Sequence, residues 1–254
     1  MMNTITLPKE KIYVGNLLLI NAEYPIQIEN ETKLMPTEPN FPDVLMEREA
    51  INFLQLILQK IGCNDEIVPV SGYRSAAEQT QIYQNSLKEF GEEFTKKFVA
   101  LPYHSEHQTG LAIDLGRRKE TIDFICPDFP YEGICEEFRK TAPHYGFIER
   151  YPNDKEKITG IAHEPWHFRY VGYPHSEFIS KNRLTLEEYT HFIKQFAGRE
   201  NPLKIQNVIK NIEIFYLPAY SDETTLIIPE QSVCQVSGNN IDGYIVTLWR
   251  NSYE

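Results

Sequence analysis

The chain has 254 residues, 41% of them hydrophobic, enough to bury the core of one large domain, or of a medium domain with a small appendage. Its net charge is −11. Nucleic acid and anionic membranes both call for a basic face, so this balance excludes them as expected partners and leaves small peptide substrates open.

The N-terminus, Met1-Met2-Asn3-Thr4-Ile5-Thr6, has no basic start and no long apolar run. The apolar residues 17–20 are too few for a signal core, and no stretch approaches transmembrane length. The expected location is therefore cytoplasmic. Residues 13–20 read as a strand that ends at Asn21 and Pro25. Residues 43–61 place Val44, Leu45, Ile51, Leu54, Leu58 and Ile61 at helical spacing, with Gly62 as the C-terminal stop. A β-rich run over 67–70 leads into Ser71-Gly72-Tyr73-Arg74. Ser75 and Glu78 then form a capping box for a helix running to about Phe90.

Pro102 opens a polar loop, 103–110, and Leu111-Ala112-Ile113-Asp114-Leu115 alternates as a short strand. A helix is expected over 132–145 and a strand over 158–171, the latter rich in aromatic and β-branched residues. Residues 185–196 form another helix, with Thr185 as its cap. Beyond it, 212–249 holds short alternating runs, with Gly238-Asn239-Asn240 as a hairpin turn. The fold class is α+β, a mostly antiparallel sheet flanked by helices. Residues 1–184 form the main domain and 185–254 a small C-terminal α+β appendage, which leaves room for a homodimer contact.

Cys63, Cys126, Cys135 and Cys234 form no C-x-x-C pair and are read as free thiols. His144, His175 and His191 are read as structural. The chemistry gathers in three stretches: Ser71 to Ser75; Ser105 to Asp114; and Glu164-Pro165-Trp166-His167. Imidazole and carboxylate are both zinc ligands, and three protein ligands with an open fourth position mark a catalytic zinc. His107, Asp114 and His167 are the expected ligands, with Glu164 as general base. Residues 163–167 also spell H-E-x-x-H, but that motif needs a helix, and Pro165 inside a helix removes a donor and clashes with the preceding turn. His163 is therefore not expected to be a ligand.

S-x-H-x-x-G-x-A-x-D followed by E-P-W-H resembles the zinc D-Ala-D-Ala peptidases: the VanX dipeptidases, VanY carboxypeptidases and bifunctional VanXY enzymes of vancomycin resistance. The Ser71-Gly72-Tyr73-Arg74-Ser75 segment and the Asn21 to Pro25 start also look like VanY and VanXY members. The resemblance spans roughly residues 16–180 and is closest to the VanXY type. It implies one zinc per chain held by His107, Asp114 and His167. It also implies Glu164 as base, Arg74 as the oxyanion partner, and Ser105 near the substrate carboxylate. Gln79 is expected to line the same pocket. The implied reaction is hydrolysis of D-Ala-D-Ala and removal of terminal D-Ala from UDP-muramyl-pentapeptide. The residue that binds the dipeptide amine stays open among Asp123, Asp128 and Glu132, and the run from Asp123 to Tyr131 is expected at the pocket rim. Two other readings use the same residues: a peptidoglycan endopeptidase on this scaffold, and a non-catalytic zinc-binding module.

Overall fold

The computed structural model describes residues 2–28, 33–206 and 210–251. In chain order the elements are β1 (Met2–Pro8), β2 (Leu34–Glu38), β3 (Phe41–Glu47), α1 (Arg48–Lys60), β4 (Ile67–Ser71) and α2 (Ala76–Phe98). Then come β5 (Ala112–Arg117), α3 (Gly133–Thr141), β6 (Phe147–Tyr151), α4 (Glu156–Thr159), β7 (Glu164–Tyr170) and α5 (His175–Lys181). The chain closes with α6 (Leu186–Ile193), β8 (Leu203–Gln206), β9 (Lys210–Pro218), β10 (Glu223–Pro229), β11 (Val233–Gly238) and β12 (Gly243–Asn251). The class is α+β with antiparallel sheets, as expected from the sequence.

The chain divides into two compact units. One comprises residues 20–186; the other joins residues 1–19 to 187–254. The sequence reading places residues 1–184 in one domain, whereas here the first 19 residues group with the C-terminal segment. The cause is long-range pairing. β1 runs antiparallel to β10, with Thr4 opposite Ile227, and this unit's core packs Leu7 and Ile12 against Phe215, Leu226, Tyr244 and Leu248.

In the larger unit, β4, β5, β7 and β6 form a four-stranded antiparallel sheet in that order. Alternation gives the sheet two chemistries. Ile113, Leu115, Phe168, Tyr170 and Phe147 turn toward a core completed by Ile51, Leu54 and Ile57 of α1 and Cys135 and Phe138 of α3. The opposite face carries Ala112 and Asp114 of β5 against Arg169 and His167 of β7, which pair in register. Burying apolar side chains on one face is what fixes the strand register, and so the placing of polar residues on the other.

Several boundaries differ from the expected ones. Residues 13–20 are not a strand. Their backbone groups turn to partners within the smaller unit, Leu17 N–H to Ser237 Oγ (2.9 Å) and Leu19 N–H to Asn239 O (3.3 Å). Residues 43–47 belong to β3, paired with β2, and α1 starts only at Arg48, where the Glu47 carboxylate caps Glu49 N–H (2.6 Å). The Ser75 and Glu78 capping box is present, yet α2 runs on to Phe98 through a break at Gly91 (φ 82°). The expected 132–145 helix is α3 followed by a 3₁₀ turn over 142–145, where Pro143 removes a donor. The strand expected from 158 begins at Glu164, after α4 and Gly160 in the left-handed region (φ 75°). All four cysteines are free thiols.

Candidate active site

His107 sits on a 3₁₀ turn over residues 106–109 that Gly110 closes in the left-handed conformation (φ 72°). Its Nδ1 meets Gly72 O at 2.6 Å, which leaves Nε2 turned toward Asp114 Oδ2 at 3.1 Å. Gly72 is required at its position. A Cβ there would lie 2.2 Å from Leu45 O, and Tyr73 N–H donates to that same carbonyl at 2.6 Å. The Ser-Gly-Tyr-Arg segment is therefore pinned by backbone on one side while it supplies the acceptor for His107 and the guanidinium of Arg74 on the other.

Asp114 stands directly opposite His167 across the β5–β7 ladder, and its Oδ1 lies 2.9 Å from His167 Nδ1. The potential ligand atoms of His107, Asp114 and His167 all lie within 4.8 Å of one another, and all three residues are buried. Among the described residues His107 Nε2 has no hydrogen-bond partner, although it is buried. Such an orphan needs an explanation. A buried His-Asp-His cluster with a nitrogen left over fits a zinc ion, whose preferred donors are these groups.

Glu164 reaches the same place by a strand irregularity. Glu149 of β6 pairs with Phe168, and Tyr151 pairs with Glu164, so two steps on β6 span four on β7. Bulges of this kind re-aim side chains beside active sites. Glu164 Oε2 comes to 3.7 Å from His167 Nδ1. Arg74 donates from Nη2 to Asp114 Oδ2 (3.0 Å), from Nη1 to Gln79 Oε1 (3.1 Å) and from Nε to Ser71 Oγ (3.0 Å). Gln79 in turn donates to Ala100 O (2.8 Å). Ser105 is buried at the start of the 3₁₀ turn and makes no side-chain capping bond there.

Burial dominates the electrostatics. It pushes the Glu164 carboxyl up to about 8, a shift that His167 and Arg74 only partly oppose. Burial works against the His167 cation too, but the hydrogen bond to Asp114 and the nearby Glu106 carboxylate outweigh it and raise that imidazole to about 9. His107 goes the other way, lowered to about 4 by burial and by Arg74. Asp114 is held well below the usual carboxylate range, because His107 and His167 more than offset its burial. The pocket therefore combines an ionised carboxylate, a carboxyl poised near neutrality and a fixed guanidinium.

One pocket is lined by all seven residues singled out in the sequence: Arg74, Gln79, Ser105, His107, Asp114, Glu164 and His167. Phe124 and Ile125, from the run expected at the rim, also line it. The three candidates for the substrate amine do not line it. Asp128 and Glu132 pair with Arg117, and Asp123 accepts from the N–H groups of Ile125 and Cys126. His163 contacts the Tyr131 hydroxyl (2.7 Å) and stands outside the His-Asp-His cluster, in a segment that leads into a strand rather than a helix. Sequence reasoning passed over Tyr151, whose ring packs on His167 at 4.9 Å, and Glu106, the buried carboxylate beside His107. Both owe their place to the β6–β7 pairing and the fold of the 3₁₀ turn, and neither carries a local signal.

The family model for VanY, D-alanyl-D-alanine carboxypeptidase, matches residues 44–173. The chain is 44% identical over 184 residues to the bifunctional D-Ala-D-Ala dipeptidase and D-Ala-D-Ala carboxypeptidase VanXYC of Enterococcus gallinarum, covering 72% of this chain and 97% of that one. It superposes on the vancomycin resistance D,D-dipeptidase VanXYg, solved with a D-Ala-D-Ala phosphinate analog, at a TM-score of 0.97 and 60% identity, covering 98% of this chain and 100% of that one. A VanY D,D-pentapeptidase variant from a VanB-type resistance cassette, solved in complex with Zn(II), matches at a TM-score of 0.57 and 29% identity, covering 69% and 98%.

Proposed function

The chain belongs to the VanY family of D-alanyl-D-alanine carboxypeptidases, and from that membership we propose that its pocket hydrolyses D-Ala-D-Ala and trims the terminal D-Ala from pentapeptide precursors such as UDP-muramyl-pentapeptide. The reading rests on one observation above others. A buried carboxyl, Glu164, poised near neutrality, faces a His-Asp-His cluster in a pocket that also holds a fixed arginine.

His107, Asp114 and His167 would hold the zinc, since imidazole and carboxylate are among its preferred donors. Zinc bound there supplies Lewis-acid polarisation of the scissile carbonyl. Glu164 takes the proton of the attacking water and passes it to the leaving amine. Its burial disfavours the charged form, so the proton it takes up is held there for delivery to the amine. Arg74, anchored through Gln79 and Ser71, offers its guanidinium to the oxyanion. The Ser105 hydroxyl is assigned to the terminal carboxylate of the substrate.

Loss of D-Ala-D-Ala ends removes the structure to which vancomycin binds, so the proposed role is resistance. Because the nucleotide-linked precursor is made inside the cell, the same reading places the protein in the cytoplasm. Among the described residues no helix is long and apolar enough to cross a membrane.

The test is D-Ala release by zinc-loaded protein from D-Ala-D-Ala and from UDP-muramyl-pentapeptide in parallel, with and without a chelator. Chelator-sensitive release from both substrates is the expected result. Release from one alone reduces the assignment to a single activity. Zinc-bound protein that releases D-Ala from neither would overturn the substrate assignment and favour an endopeptidase or a binding module.

A further inference from the structure

Glu106 occupies the unspecified position of the Ser-x-His motif, and the fold gives it surroundings unlike those of a surface acid. Its side chain and those of Arg150 and Arg169 are all 0% exposed. Arg150 Nε donates to Glu106 Oε1 at 2.8 Å, and Arg169 Nη1 lies 2.8 Å from the same oxygen. The two arginines come from neighbouring strands, β6 and β7, on the face of the sheet that carries Asp114 and His167. Packing alone gives no reason for this cluster, since apolar residues of the same volume are often at least as stable as a buried ion group.

The second carboxylate oxygen points to the reason. Glu106 Oε2 lies 3.6 Å from His167 Nε2, and both atoms are buried without a hydrogen-bond partner among the described residues. The other ring nitrogen of His167 faces Asp114 Oδ1 at 2.9 Å and Glu164 Oε2 at 3.7 Å. The imidazole thus stands between Asp114 and Glu164 on one side and Glu106, outside the His-Asp-His cluster, on the other. A histidine that ligates a metal through one nitrogen carries its proton on the other, and that N–H needs an acceptor to hold the ring.

We propose that Glu106, clamped by Arg150 and Arg169, is a positioning residue that holds His167 with Nε2 protonated and Nδ1 turned to the metal. The arginines have a second effect. They engage the oxygen that would let Glu106, one residue from His107, swing into the cluster and compete with Asp114. The inference rests on the metal site proposed above.

The substitution Glu106→Gln tests it. With the two arginines claiming the amide oxygen, glutamine presents its NH2 to His167 Nε2, a donor facing a donor. Zinc affinity, read by competition with a chromogenic chelator, is expected to weaken about 10- to 100-fold relative to the unsubstituted protein. An unchanged affinity in folded Glu106→Gln protein overturns the proposal and leaves the cluster a purely structural role. A measurement on the unsubstituted zinc-loaded protein decides the matter should the variant not fold. The histidine 15N spectrum is expected to show His167 metal-bound at Nδ1 and protonated at Nε2; coordination through Nε2 overturns the proposal. Unsubstituted protein that binds no zinc overturns the metal site itself, and this inference with it, a result distinct from either of the others.

Discussion

Glu164 and His167 lie three residues apart on one strand, yet Glu164 Oε2 comes within 3.7 Å of His167 Nδ1. Strict alternation would send the two side chains to opposite faces of the sheet. The irregular pairing of β7 with β6 between Glu164 and Phe168 brings them to one side. The two side chains are therefore brought together by the backbone irregularity as well as by the pocket they share.

Replacement of Glu164 by glutamine keeps the shape and removes the base. The rate of D-Ala release should fall by about 10²- to 10⁴-fold, the usual worth of a positioned general base. Zinc content per chain should stay at the unsubstituted level, read by metal analysis. A variant that keeps its activity would remove Glu164 from the mechanism.

Arg74 makes three separate hydrogen bonds through a planar fork, which an ammonium cannot reproduce. Arg74→Lys should lower kcat by about 10²- to 10³-fold, the cost of losing one oxyanion donor, with a smaller change in KM. Steady-state kinetics on D-Ala-D-Ala separate the two. A change confined to KM would recast Arg74 as a binding residue.

Zinc uptake should release protons. In the metal-free site the His167 imidazole, raised to about 9, and the Glu164 carboxyl, raised to about 8, are both protonated at pH 7. A ligating imidazole must be neutral at the nitrogen that binds, so loading expels at least the His167 proton. Calorimetric titration of zinc in buffers of different ionisation enthalpy measures the number, and an observed heat independent of buffer would contradict the assignment.

Stability should fall in mild acid through His175, on α5. Burial pushes this imidazole down to about 3, so it stays neutral in the folded chain at pH values where the unfolded chain takes up a proton. A depressed folded pKa means that the contribution is complete above about 6.5 and is lost progressively as pH falls toward 3. Urea unfolding at a series of pH values should show a shallower decline for His175→Asn than for the unsubstituted chain. Equal slopes would assign the acid sensitivity elsewhere.

Gly72 should tolerate no side chain. A Cβ would sit 2.2 Å from Leu45 O, a backbone atom that cannot rotate away. Gly72→Ala is expected to cost about 1–3 kcal/mol, the range for overpacked sites, seen as a lower thermal midpoint. It should also weaken zinc binding, since Gly72 O is the anchor of His107 Nδ1.

The grouping of His107, Asp114, His167 and Glu164 in one pocket was legible in the sequence because its signal is chemical and local. A histidine and an aspartate share one short stretch, and a glutamate and a histidine share another, so residue type alone names the donors. Pro165 ruled out the helical reading of His163 to His167 before any fold was known, because a missing amide and a ring clash act within one turn. The alternation over residues 111–115 likewise placed Asp114 opposite the core. What the tertiary structure decided lies in pairings between distant segments: β1 with β10, β6 with β7, Glu106 with Arg150 and Arg169. Residues 13–20 are apolar enough for a strand and became none, because a strand forms only where another backbone offers it a ladder. Residue chemistry could single out the candidate donors, whereas partner, register and the orientation of a histidine ring depend on which strand comes to lie beside which.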